Sequence, residues 1–232
     1  MGVENFYYKN FIKTVNEHFT EKKKRKVLCL GYPDCLVDSH TLVEIYGPEF
    51  IQKIPEDPKA NEIRAWHKKS SLPRIYDMLY LLRHHDFEPT IFDSINHRGF
   101  EVIVDLNEPL PADYLEQFDL VIDTGTLEHC FNVGTAFKNV CQSIKKDGVF
   151  MTAAPITKLN HGYWNFGTIV HKDGFEWNGF EILDQSFYKN GVQVSDTEIN
   201  KKRIPLLIVG TAIAKRKEIK DWTWPIQRKY LK

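Results

Sequence analysis

The chain has no run of about 18 apolar residues, the length a membrane-crossing helix needs. Nor does either sign of charge dominate. Thirty-one lysines and arginines face 31 aspartates and glutamates, so no overall field favours a nucleic-acid or membrane-surface partner, and a small ligand is the better expectation. Cysteine is scarce: Cys29, Cys35, Cys130 and Cys141 are the 4 present, and no two are spaced C-x-x-C. Their places on or beside apolar runs suit reduced, packed thiols, and neither a metal site nor a disulfide frame is expected. The opening residues, MGVENFYYKNF, lack the charged-then-apolar order of a secretion signal, so the expected location is cytoplasmic. Repeats and low-complexity tracts are also missing. What the chain does have is 42% hydrophobic and 13% aromatic residues over 232 positions, enough for one substantial core and a single domain over 1–232.

The densest pattern runs from Phe118 to Pro155. Phe118 to Ile122 is a short β-branched run ending at Asp123, and Thr124-Gly125-Thr126 supplies turn chemistry after it. A helical stripe follows, carrying Val133, Ala136, Phe137, Val140 and Ile144, and Asp147-Gly148 is read as its close. Val149 to Ala154 is again apolar. The unit is strand, helix, strand, with its polar loop at a strand's carboxyl end, where open α/β sheets bind ligands.

The remainder extends that alternation. Tyr8, Phe11, Ile12, Val15 and Phe19 recur at helical spacing and predict a lead-in helix over 4–19. Val27 to Gly31 reads as the first strand, Pro89 to Ile95 and Glu101 to Leu106 as the next two, with a helix from Arg74 to His85 before them. Gly174 to Leu183 and Ile204 to Ala214 supply the last strand material. Residues 36–73 carry Gly47-Pro48, Pro55, Pro58 and Pro73 and read as an insertion. Its Arg64, Trp66, His67, Lys68 and Lys69 suit a lid or, equally, an exposed contact surface. The aromatic tail Asp221-Trp222-Thr223-Trp224-Pro225 is open to a docking or homo-oligomer contact.

Phe118-Asp119, Leu127-Glu128-His129 and Lys146-Asp147-Gly148 resemble the fourth-to-fifth-strand region of class I S-adenosylmethionine-dependent methyltransferases. Asp147 stands where that family usually has a first glycine, a mild change because aspartate tolerates turn geometry. The resemblance implies an α/β, Rossmann-like methyltransferase fold: a mostly parallel seven-stranded sheet with helices on both faces, and S-adenosyl-L-methionine as cofactor. It assigns Gly31, Tyr32 and Asp34 to the turn beside the methionine part, although Gly31-Tyr32-Pro33-Asp34 has one glycine where the family has several. Asp93 is implied for the ribose hydroxyls, Asp105 and Leu106 for the adenine, and Asp123, Thr124 and Gly125 for the loop after the fourth strand. Asp93 and Asp105 can also be read as caps or turn residues.

Lys158-Leu159-Asn160-His161-Gly162-Tyr163-Trp164-Asn165-Phe166 is similar to an N-H-G-aromatic-x-N-F loop in some methyltransferases of bacterial surface-polysaccharide gene clusters. His161 is a candidate base for an attacking hydroxyl, His129 a second, and Asn160, Tyr163, Trp164 and Asn165 candidates for holding a polar acceptor such as a glycan precursor. Aromatic packing under the sheet edge is the competing reading of that loop. A non-catalytic scaffold that kept the fold is the alternative to an enzyme. A nicotinamide-dependent enzyme is disfavoured, because the glycine fingerprint for a pyrophosphate is missing.

Overall fold

The β-branched and leucine-rich strands feed two cores at once, because successive side chains point to opposite faces. The computed structural model describes residues 2–195 and 207–231. In chain order the elements are β1 (Gly2–Val3), α1 (Asn5–His18), β2 (Arg25–Leu30), β3 (Asp34–Cys35), α2 (Ser39–Tyr46), α3 (Pro48–Ile51), α4 (Ala60–Trp66), α5 (Met78–His84), β4 (Phe87–Asp93) and β5 (Val102–Ile103). There follow β6 (Phe118–Asp123), α6 (Val133–Ser143), β7 (Ile144–Pro155), α7 (Val170–Glu176), β8 (Phe180–Lys189), β9 (Val192–Val194) and β10 (Ile208–Arg216). Val27 and Cys29 of β2 join a core with α1, α2 and α5, whereas Leu28 and Leu30 join Phe137 of α6 and Phe175 of α7 on the other side. Helices therefore cover both faces. Among the described residues no helix is long and apolar enough to cross a membrane.

Among the described residues the main sheet has 8 strands in the order β5-β4-β2-β6-β7-β10-β8-β9. Neighbours from β5 to β7 are parallel, and β10 runs antiparallel to both β7 and β8. The expected seven-stranded sheet is thus corrected to eight. The added strand, β9, is the second arm of a hairpin whose turn is Asn190-Gly191, with φ of 51° and 79°. Two successive positive φ values define the turn that matches the twist of paired strands, and Asn-Gly is its preferred dipeptide. From β2 the chain builds outwards through β4 to β5, and from β6 the opposite way to β7. The adjacent carboxyl ends of β2 and β6 therefore form the crevice where the winding reverses.

Local signals fix the helix starts. Asp38 caps α2 by accepting from the Thr41 amide at 2.7 Å, and Asp77 caps α5 by accepting from Leu79 and Tyr80 at 2.8 and 3.1 Å. That cap is why the helix expected from Arg74 begins only at Met78. The lead-in helix α1 lies across the sheet, where the Tyr7 hydroxyl donates to the Met151 carbonyl at 2.9 Å. Residues 36–73 contain α2, α3 and α4. There Arg64 donates to Leu72 O, Pro73 O and Glu56, pinning the segment to itself.

Two other expectations change. Gly174 to Glu176 belongs to α7 rather than to a strand, because His171 and Phe175 sit one helical turn apart and both face the core. Residues 146–148 lie within β7, with Asp147 at φ 65°, rather than closing α6. Ile204, Pro205 and Leu206, read as strand, lie outside the described residues.

His171 is buried against Phe137, Phe166 and Phe175, and its Nε2 has no hydrogen-bond partner among the described residues. Burial lowers its pKa to about 4. Between the ordinary histidine value and that one, an unfolded chain takes up a proton that the folded chain refuses, so this group's contribution to stability falls as the pH falls. His171→Phe keeps a ring in place and removes the proton site. The stability gap between wild type and variant, measured by urea unfolding, is expected to shift by about 3 kcal/mol in the variant's favour from pH 7 to pH 4.

Candidate functional site

The loop after β6 is built on a buried carboxylate. Asp123 is fully buried; its Oδ1 accepts from the amides of Gly125 and Thr126 at 3.2 and 2.8 Å, and its Oδ2 from the Thr152 hydroxyl at 2.8 Å. Thr126 Oγ1 in turn donates to Leu30 O at 2.7 Å, tying the loop to the end of β2 across the crevice. Asp123 thus shapes the loop from inside and presents no free oxygen to a ligand. Gly125 sits at φ 111°, a conformation side chains avoid. Thr124 Oγ1 is buried and has no hydrogen-bond partner among the described residues.

Four residues further on, the single turn Leu127–His129 delivers Glu128 inwards and His129 outwards. Glu128 is 1% exposed, and its Oε2 has no hydrogen-bond partner among the described residues. Burial, and then the nearby Asp123 charge, raise the Glu128 pKa well above the usual carboxylate range. Desolvation also raises that of Asp123, but three donors hold its charge. Of the two, Asp123 carries the negative charge and Glu128 the proton.

The loop after β7 folds back onto this turn. The Trp164 amide donates to Glu128 O at 3.2 Å and its indole to Cys130 O at 3.0 Å, while Phe131 and Tyr163 meet edge to face at 5.4 Å. Gly162 permits the approach, since a Cβ there would lie 2.7 Å from Glu128 O. His161 is thereby set with Nε2 3.4 Å from Glu128 Oε1, and the rings of His129 and His161 pack with centroids 5.0 Å apart. The two histidines proposed from separate motifs therefore share one carboxylate. Burial, and then the Lys158 charge, lower both their pKa values, that of His161 to about 4, so both rings are neutral at pH 7. Asn160 is exposed at φ 55°, Tyr163 and Trp164 are exposed, and Asn165 accepts from the Lys158 amide at 2.7 Å, shaping the loop.

On the other side of the crevice the acids at strand ends differ. Asp93, half-buried at the end of β4, accepts a long 3.4 Å bond from the Ile95 amide and has capacity for more. Asp105 is exposed, and its Oδ1 is already engaged by the Asn107 amide and side chain at 2.9 and 2.7 Å. Leu106 beside it is buried.

Above the end of β2 lies a group that sequence reasoning missed. Gly31 takes φ 73° and leads into Tyr32, which is buried under Arg98, whose guanidinium carbon stands 3.4 Å from the ring centroid. Arg98 bonds Asp57 at 2.9 Å and Asp34 at 3.3 Å, His67 bonds Asp34 at 2.8 Å, and the Tyr32 hydroxyl donates to Asp57 at 3.0 Å. Burial raises the Asp34 pKa, but the hydrogen bond from His67 and the positive charges nearby outweigh it and hold it below the usual range. Residues expected to meet a ligand, Tyr32 and Asp34, are thus bound to the chain's own Arg98. For the nucleotide-bearing cofactor that the sequence resemblance implies, the crevice offers Asp93 at its open side, while Thr124 Oγ1 is buried. At its β2 end, matched charges and an aromatic ring take the place of a glycine cradle.

No family model and no curated protein matches the chain. Solved structures do. The [4+2]-cyclase SpnF aligns over 91% of this chain and 81% of its own at a TM-score of 0.50 and 11% identity. The N-methyltransferase NodS from Bradyrhizobium japonicum WM9 in complex with S-adenosylhomocysteine covers 92% of this chain and 88% of its own, with a TM-score of 0.46 and 11% identity. The 1,6-didemethyltoxoflavin-N1-methyltransferase of Burkholderia thailandensis covers the same shares at 0.45 and 12%. The likeness to SpnF is one of fold. With the strand order it shows that this chain has a Rossmann-like α/β fold, with β9 added at the sheet edge.

Proposed function

We propose that the chain binds S-adenosylmethionine in the crevice between β2 and β6 and transfers its methyl group to an oxygen of a small polar acceptor. The observation that carries this reading is the convergence of Glu128, His129 and His161, from the loops after β6 and β7, beside the switch point of the sheet. The cofactor supplies a methyl group already activated on a sulfonium, so the chain's tasks are placement and exclusion of water. Asp93 accepts from the ribose hydroxyls, Thr124 Oγ1 gains a partner, and Leu106 covers a face of the adenine. The neutral His161 takes the acceptor's proton. Its pKa near 4 makes it a weak base, suited to an acceptor hydroxyl more acidic than an ordinary alcohol. Phe131, Tyr163 and Trp164 give flat apolar faces on which a sugar ring can lie. A sugar, a sugar nucleotide or a phosphoramidate-type group of surface-polysaccharide synthesis suits this combination, and the 158–166 loop supports it by its resemblance.

A second reading, a non-catalytic scaffold, is favoured by the buried Tyr32–Arg98 stack, which leaves the β2 end of the crevice satisfied without a ligand. The two separate on one comparison. For an enzyme, S-adenosylhomocysteine raises the melting temperature of the wild type, and Asp93→Ala weakens binding by about a hundredfold through the loss of charge-assisted bonds. Under the scaffold reading neither protein responds.

A further inference from the structure

The geometry points to a metal site: Glu128, His129 and His161 together bind a divalent transition-metal ion, zinc being the ion this donor set suits best. One donor atom from each residue lies within 4.8 Å of the other two. Ligands held about 2.0–2.2 Å from a tetrahedral zinc stand roughly 3.3–3.6 Å from one another. His161 Nε2 and Glu128 Oε1, 3.4 Å apart, already have that separation. His129 Nε2 is 4.0 Å from the same oxygen, and its side chain, 45% exposed, has only to turn inwards.

An independent observation supports a cation there. Glu128 is 1% exposed, and its Oε2 meets no donor among the described residues. A buried carboxyl without a partner is costly, and a bound cation, which displaces the Glu128 proton to solvent, is the partner that removes the cost. The frame is also set before any ion arrives: Gly162 brings the 158–166 loop against the Glu128 backbone where a Cβ would collide, and two Trp164 hydrogen bonds clamp it. Two imidazoles and one carboxylate, with the outer side open to solvent, match the three-ligand pattern of zinc sites that keep a coordination position free. Lys158 Nζ, 3.5 Å from His161 Nε2, competes for that ring and must swing aside. If the chain is a methyltransferase, His161 in the metal-loaded protein is a ligand through Nε2 and no longer the base, and the ion would instead acidify the acceptor hydroxyl, whose proton passes to solvent; metal binding itself does not depend on the cofactor.

The test uses the full chain without an affinity tag, stripped with a chelator and titrated with Zn²⁺ in a calorimeter and with Co²⁺ by visible absorption. One ion per chain is expected, with the intense d–d bands of tetrahedral Co²⁺ and a melting temperature that Zn²⁺ raises. Glu128→Gln, His129→Ala and His161→Ala should each weaken binding at least tenfold, whereas Lys158→Met should tighten it. Should Glu128→Gln fold poorly, the more exposed His129→Ala decides alone. Octahedral or absent Co²⁺ bands, or binding that survives His129→Ala unchanged, would overturn the proposal. S-adenosylhomocysteine binding measured on the same metal-free chain separates failure of this site from failure of the methyltransferase reading.

Discussion

Arg98→Ala is expected to destabilise the chain by about 3–5 kcal/mol, the range seen when one partner of a buried ion pair is removed. The magnitude follows from what is left behind. The Asp57 side chain is completely buried and that of Asp34 is 11% exposed, and both now look to one guanidinium. Without it, Asp34 keeps His67 and Asp57 keeps the Tyr32 hydroxyl and the Lys59 amide, but the completely buried Asp57 carboxylate loses the guanidinium that pairs with it. The Tyr32 ring also loses the cation stacked on its face. Arg98→Lys restores a charge but not the fork that reaches both acids, so it recovers only part of the loss. Chemical denaturation of the three proteins at pH 7 checks the order wild type, lysine, alanine. A loss under 1 kcal/mol for the alanine variant would mean the network is solvated rather than buried.

Asp123→Ala ranks with it, at about 3–5 kcal/mol, for a different reason. The two loop amides of Gly125 and Thr126 and the Thr152 hydroxyl lose their acceptor together, inside a site that water does not reach. The Thr126 bond to Leu30 loses its alignment as the loop relaxes, so the junction of β2 and β6 opens. Asp123→Asn keeps one accepting oxygen for the amides, and Thr152 can turn its hydroxyl to accept from the new amide. Less than half the loss is therefore expected for it, measured by the same unfolding experiment. Equal losses in both variants would show that the negative charge, rather than the acceptor geometry, holds the loop.

Much of this architecture can be read from local residues, and the exceptions have physical causes. The strands at Val27, Pro89 and Phe118 and the helix over 5–18 carry their periodicity openly. The β9 hairpin is written in Asn190-Gly191 between two strand-like runs, a cue that a search for family strands passes over. The start of α7 is hidden because His171 is a core residue there, and histidine gives no apolar period. At the site, His129 and His161 can each be picked out by residue type and neighbouring motif. Their shared partner, Glu128, belongs to a common motif and gains meaning only when the 158–166 loop folds over it. Arg98 is harder still. It lies in a short polar stretch, Asn96 to Gly99, between two expected strands, and its acids come from distant positions, Asp34 and Asp57. Pairings of that kind are set by strand order, which a single sequence does not state.

The proposed methyl transfer requires the crevice between β2 and β6 to be a working cofactor site despite its single glycine at Gly31. Calorimetric titration of the wild-type chain with S-adenosylhomocysteine tests this most directly. Binding in the micromolar range, about −8 kcal/mol, is the predicted result and would justify a screen of sugar and phosphate-bearing acceptors. No heat of binding at high ligand concentration would contradict it, and the buried Tyr32–Arg98 stack would then mark a crevice closed for good.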